Sequence, residues 1–183
     1  MTDAHVPTRE QLLVAMTVGR MKVHAFVANV GEDALMHRVD SSGWSGRDHL
    51  AHLNAWEGAL ISWLTNGTRA EGLGIDEAIW ETRNIDHINE AARSATLSMS
   101  IVAILAQLDR NRARLRNLVI AMPDSDLMAP YSHFPSNDPT HRDPPVASRV
   151  LRVVGSHVDD HLGYIDRLVA APADSVLPTT KHS

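Results

Sequence analysis

Apolar residues recur at helical spacing through four long stretches of the chain, separated by polar or glycine- and proline-rich segments. The first stretch aligns Leu12, Met16, Val23, Phe26, Val27 and Val30 on one face. Thr8 and Gln11 stand at capping-box spacing before it and Gly31 stands after it, so a helix is predicted over 9–29. A polar segment to Gly43 follows, with one helical turn expected around Asp33–Met36. The second stretch opens at GWSGRDHLAHLNAWE, residues 43–57. Ser45 is its N-cap, Asp48 completes a capping box, and Trp44 takes the place of a hydrophobic staple. Leu50, Leu53, Trp56, Leu60, Trp63 and Leu64 form the buried face, and Asn66-Gly67 closes a helix over 45–65.

Residues 67–74 read as a glycine-rich loop, and helical composition returns from Ile75 to Arg93 as one inserted helix or two short ones. Ile79, Trp80, Ile85 and Ile88 supply its packing face. A third long helix is predicted over 100–122, with Ile101, Ile104, Leu105, Leu108, Leu115, Leu118 and Met122 on its stripe and Pro123 at its end. Prolines 130, 135, 139, 144 and 145 then forbid a fifth long helix, so 123–146 is expected to be irregular and to lie at the histidine-bearing end. The fourth helix is predicted over 146–169, and the tail after Pro172 is expected to fray. No stretch alternates long enough to build a sheet, and no internal repeat is visible. The reading is all-α: one domain over 1–183, with a core at about 8–170, forming a four-helix bundle with a helical insertion between helices two and three.

The fourth stretch contains VVGSHVDDHLGYI, residues 153–165, and this changes the picture from fold to chemistry. His157 and His161 are one turn apart and share a direction with Val150, Val154, Ile165 and Leu168. Two polar rings on an apolar stripe must find partners, because an unpaired buried polar group costs about 1–3 kcal/mol. A metal ion, a carboxylate or a backbone carbonyl would each satisfy them. Gly155 and Gly163 flank the pair, although a helix-interior glycine costs about 1 kcal/mol against alanine. A third imidazole would have to come from another helix, and the second offers His49 near the middle of its stripe and His52 at its edge. Helical geometry alone does not choose between them. Asp48, one turn before His52, is placed to bond that ring.

Composition narrows the chemistry further. There is no cysteine, which excludes disulfides, thiolate ligands and a protein thiol nucleophile. A formal charge of −5 speaks against a general nucleic-acid binder. The N-terminal MTDAHVPTRE lacks an apolar signal segment and no run reaches the length of a membrane span, so a cytoplasmic protein is expected. Arg110, Arg112, Arg114 and Arg116 read as a solvated basic face, and His133 and His141 as surface loop residues. Trp56 and Trp63 read as core; Trp44 and Trp80 read as packing residues with a pocket-lining role as the other option.

WSGRDHLAHLNAWE and HVDDHLGYI, at this separation, resemble the DinB-like superfamily, and IDHINEAARSATLSMSIVAILAQLDRNRARL is similar to it in layout. The nearest branch is the ClbS/DfsB type, related to mycothiol-dependent maleylpyruvate isomerases and bacillithiol transferases. The likeness covers most of 8–168 and is weakest through 123–146. It implies a bundle in which His52, His157 and His161 form an open metal triad; His49 falls where an apolar residue is usual, and Gly155 and the proline-rich segment depart from the pattern. Three imidazoles suit Zn²⁺, Ni²⁺ or Fe²⁺ with a position left for water or substrate. A low-molecular-weight thiol, where one is used, must then arrive as a cosubstrate.

The expected function is a metal-dependent transferase or hydrolase that activates water or a small thiol against an electrophilic small molecule. The alternatives are a metal-independent self-resistance protein of the ClbS/DfsB kind and a non-catalytic helical binding module. A small-molecule substrate is the expected partner, with neither nucleic acid nor membrane, and a homodimer is the assembly considered.

Overall fold

The computed structural model describes residues 6–132 and 143–170. Its long helices are α1 (Arg9–Val30), α3 (Gly46–Leu64) and α7 (Ile101–Ala121), with α9 (Val146–Val154) and α10 (Ser156–Ala170) together forming the fourth column of the bundle. Short helices fill the connections: α2 (Glu32–His37), α4 (Arg69–Leu73), α5 (Glu77–Glu81), α6 (Ile85–Ala95) and α8 (Asp124–Met128). Among the described residues there is no strand, only isolated bridges between Val39 and Ser45 and between Pro130 and Pro145.

The caps predicted at the helix starts are formed. Thr8 and Gln11 close a capping box on α1, and Ser45 and Asp48 close one on α3. Two apolar clusters stack along the bundle. One gathers Leu12, Met16, Leu60, Leu115, Val119, Val146 and Val150; the other gathers Val23, Leu50, Leu53, Ile104, Leu108, Val158 and Ile165. A third, under the insertion, packs Ala55 and Trp56 against Trp80, Ile88 and Ala92.

A charged layer separates the two main clusters. Glu57 of α3, fully buried, meets Arg112 of α7 at 2.5 Å. Arg112 also donates through Nη1 to the Val154 carbonyl at 3.0 Å. On α1 the level is held by Gly19, where a Cβ would overlap that same carbonyl oxygen. Arg112, 3% exposed, is therefore core rather than part of a solvated basic face, while Arg110, Arg114 and Arg116 are exposed as expected.

Three further departures from the sequence reading have physical causes. The fourth helix is broken at Gly155 (φ −117°, ψ −94°), and the break leaves the Val154 carbonyl open to Arg112. Residues 69–73 form a helix instead of a loop because Thr68 caps it through Glu71 N and Gly74 ends it in the left-handed conformation. The glycines there serve a close approach, since a Cβ on Gly72 would overlap the Gly58 carbonyl oxygen of α3 and one on Gly58 would overlap that of Gly72. Finally, the described ends of 123–146 are ordered by Tyr131 N donating to Pro144 O at 2.8 Å and Val146 N to Ala129 O at 2.9 Å. They pack beside Trp63, whose ring centroid is 4.3 Å from that of Tyr131. Trp63 is eleven residues beyond His52, about 16 Å along a straight helix, so these ends do not sit at the histidine level. His133, His141 and the tail after Pro172 lie outside the described residues.

Candidate metal site

Four imidazoles meet between α3 and α10. His49 and His52 come from the second turn of α3, and His157 and His161 from the first turns of α10, which starts anew after the Gly155 break. One nitrogen from each of His52, His157 and His161 lies within 4.8 Å of the others, an arrangement that could hold a metal ion. His52 Nε2 is 3.2 Å from His157 Nε2, and the His52 and His161 rings stack with centroids 4.5 Å apart. His49 stands outside this group. Its Nδ1 is 3.0 Å from His161 Nδ1, and its Nε2 is 3.2 Å from Asp40 Oδ2.

Trp44 closes one side, its ring 5.4 Å from His49 and 5.5 Å from His52. Tyr164, half-exposed, lies 5.4 Å from His161 on another. Sequence reasoning offered Trp44 as a packing or pocket residue, and it faces the histidines; Trp80 is core. Asp48 does not bond His52. Its carboxylate is taken by Ser45 at 2.9 Å, Arg47 at 2.6 Å and Arg93 at 3.3 Å. Asp40, which no periodic signal marks, carries the carboxylate that reaches the cluster.

Burial keeps these rings neutral. It pushes His157 down to about 4, aided by Arg152 and opposed by Asp160. It pushes His161 to about 3, aided by His157 and His49. His52 is driven well below the ordinary range by burial and by the other three imidazoles. His49 is lowered by burial against the pull of Asp40. Near neutral pH every ring thus carries a lone pair, the form that binds metal.

The residues fit an ion on two counts. Two ligands of a tetrahedral zinc at about 2.0–2.1 Å stand about 3.3 Å apart, and the His52–His157 nitrogens are 3.2 Å apart. Burial also keeps all three rings neutral, the form in which an imidazole can ligate.

A cavity of about 220 Å³ opens on the same cluster. His52 and His157 form one wall, Trp56, Ile85 and Val153 an apolar one, and Asn89, Arg149 and Arg152 a polar rim. Asn89 is oriented by Trp56 Nε1, which donates to its Oδ1 at 3.1 Å. Arg152 is anchored by Asp160 at 2.8 Å and Ser156 at 3.0 Å.

The class is thus an all-helical bundle with histidines of facing helices converging beside a small-molecule-sized cavity. The family model of the DinB superfamily matches residues 15–165, and the chain belongs to that superfamily. No curated protein and no solved structure matches it significantly. Among the described residues no helix is long and apolar enough to cross a membrane.

Proposed function

We propose that the protein is a metal-dependent enzyme acting on a small electrophilic molecule held in the cavity beside His52 and His157. The observation that carries this reading is the convergence of three neutral imidazoles, two of which, His52 and His157, line the cavity. His52, His157 and His161 would hold a divalent ion such as Zn²⁺, Ni²⁺ or Fe²⁺. When bound, such an ion lowers the pKa of a coordinated water or holds a thiolate, which supplies the nucleophile that a cysteine-free chain lacks.

The chain's own side chains do the rest. Trp56, Ile85 and Val153 seat the apolar part of a substrate, while Asn89, Arg149 and Arg152 orient polar groups at the rim. Trp44 covers the histidines and limits water. Thiol transfer and hydrolysis are the two variants of this activity, and the motif likeness to ClbS/DfsB-type proteins favours a role in neutralising reactive compounds.

A second reading, a metal-free binding module, is favoured by one observation: the rings can serve as partners for one another, His49 Nδ1 for His161 Nδ1 at 3.0 Å and His52 Nε2 for His157 Nε2 at 3.2 Å. Elemental analysis of tag-free protein separates the two, with close to one equivalent of transition metal expected. His157→Ala should abolish retention of that metal. Wild-type protein that neither retains metal nor takes up added Zn²⁺, Ni²⁺ or Fe²⁺ would refute the metal-dependent reading, and turnover of a reactive substrate would then separate a metal-independent self-resistance protein from a binding module.

A further inference from the structure

The structure gives His49 two directed contacts. The loop before α3 fixes the first. Asp40 Oδ1 accepts from Ser42 N at 2.8 Å and Trp44 N at 3.0 Å, and Asp40 N donates to Trp44 O at 2.9 Å. Gly43, at φ +80°, makes that turn possible. With Oδ1 committed to two backbone donors, Oδ2 is left facing His49 Nε2 at 3.2 Å. A carboxylate only accepts, so the His49 proton sits on Nε2 and its Nδ1 holds a lone pair. That lone pair faces His161 Nδ1 at 3.0 Å, which must then be the donor. Its proton being on Nδ1, neutral His161 has its own lone pair on Nε2.

We propose that His49 is a positioning residue, and that the chain Asp40–His49–His161 holds His161 in the tautomer whose Nε2 can bind the ion. Its purpose rests on the metal reading of the site; its geometry does not. Each link has a direction, and that direction is set from the surface loop inward. A ligating imidazole gains basicity and a fixed orientation when its other nitrogen donates to such a partner. His161 obtains this from a second imidazole backed by a carboxylate, rather than from a carboxylate directly.

Asp40→Asn reverses the chain with almost no change of shape. The two backbone donors hold the amide oxygen where Oδ1 was, so the amide nitrogen faces His49 Nε2 as a donor. His49 must then carry its proton on Nδ1 and donate to His161 Nδ1, which moves the His161 proton to Nε2 and blocks that nitrogen. Long-range ¹⁵N–¹H correlation on metal-free protein at pH 8 should show His161 protonated on Nδ1 in the wild type and on Nε2 in the variant. Zn²⁺ affinity, read by competition with a chromogenic chelator, should fall about 10- to 100-fold, with the melting temperature nearly unchanged. His49→Ala, which leaves His161 Nδ1 without an acceptor, should weaken Zn²⁺ in the same direction.

A wild-type His161 protonated on Nε2 overturns the inference, as does an Asp40→Asn variant with the wild-type tautomer or wild-type Zn²⁺ affinity. The two readings fail separately. A wild type that binds no Zn²⁺ but shows the Nδ1 proton and its reversal upholds the relay and removes the metal reading. Tight Zn²⁺ binding unaffected in both variants does the opposite.

Discussion

Acidifying the metal-free protein from pH 6.5 to pH 5 should destabilise it, and the structure sets the size of the effect. His157 and His161 are pushed down to about 4 and about 3 in the folded chain, against 6.5 when exposed. Above pH 6.5 both states leave these rings neutral, and nothing is lost. As the pH falls below that value, the unfolded chain takes up protons that the folded chain refuses, so stability declines until the folded values are reached. Over the 1.5 units between pH 6.5 and 5, each ring costs about 2 kcal/mol at 1.36 kcal/mol per unit, or about 4 kcal/mol for the two. His52 and His49, also lowered, act in the same sense. Glu57 acts oppositely: burial raises it from 4.5 to about 7 despite Arg112, so across this range the folded state holds a proton that the unfolded chain largely lacks. That offset is about 2 kcal/mol, leaving a net loss of at least about 2 kcal/mol. Urea unfolding at the two pH values measures it directly. Glu57→Gln removes the offset and should steepen the decline, whereas His157→Asn should shallow it. A stability that holds constant or rises between pH 6.5 and 5 would refute the burial argument for the imidazoles.

Other sites give equally directed outcomes. Gly58→Ala should lower stability by up to about 2 kcal/mol, since a Cβ there would overlap the Gly72 carbonyl oxygen at an overpacking cost of about 1–3 kcal/mol, against a helix-propensity gain of about 1 kcal/mol. Thermal unfolding decides this, and a rise in melting temperature would show that α4 does not press on α3. Arg112→Lys keeps the charge but cannot span both Glu57 and the Val154 carbonyl, so a loss of about 1–3 kcal/mol is expected from the carbonyl left unpaired. The same variant should weaken Zn²⁺ several-fold, and an unchanged affinity would uncouple the charged layer from the histidines.

Much of this was legible in the sequence because periodicity and caps agree. Thr8-x-x-Gln11 and Ser45-x-x-Asp48 mark helix starts by a local hydrogen-bond pattern, which no tertiary contact needs to rescue. The convergence of His52, His157 and His161 followed from spacing on α10 plus the superfamily motif; spacing alone left His49 and His52 equal. What was missed depends on distant partners. Arg112 looked like one of four surface arginines, yet Leu108, Arg112, Leu115 and Val119 keep a single helical stripe, as do Leu53, Glu57 and Leu60. Two opposite charges each standing on an apolar stripe were the available signal for a buried pair. Asp40 gave none, because a loop carboxylate acquires its role only when the turn at Gly43 points it at α3. Asp48 was misassigned because capping and ring-bonding compete for one carboxylate, and the local cap won.

The break at Gly155 connects these features. A continuous fourth helix would satisfy the Val154 carbonyl within its own ladder and leave Arg112 without that acceptor. With the ladder interrupted, Arg112 ties the end of α9 to Glu57 on α3. Glu57 lies five residues after His52, and Val154 lies three before His157. One guanidinium therefore fixes the spacing of the two helices within about one turn of the nitrogens that must meet. A buried pair of this kind contributes little net stability compared with apolar side chains of the same volume. Its worth here is in register: sliding the fourth column by one turn, about 5.4 Å, would leave the Val154 carbonyl without its Arg112 donor as well as separate the imidazoles. The polar layer between the two apolar clusters is thus the element that gives a bundle otherwise held by non-directional packing a directed contact close to the level where the imidazoles meet.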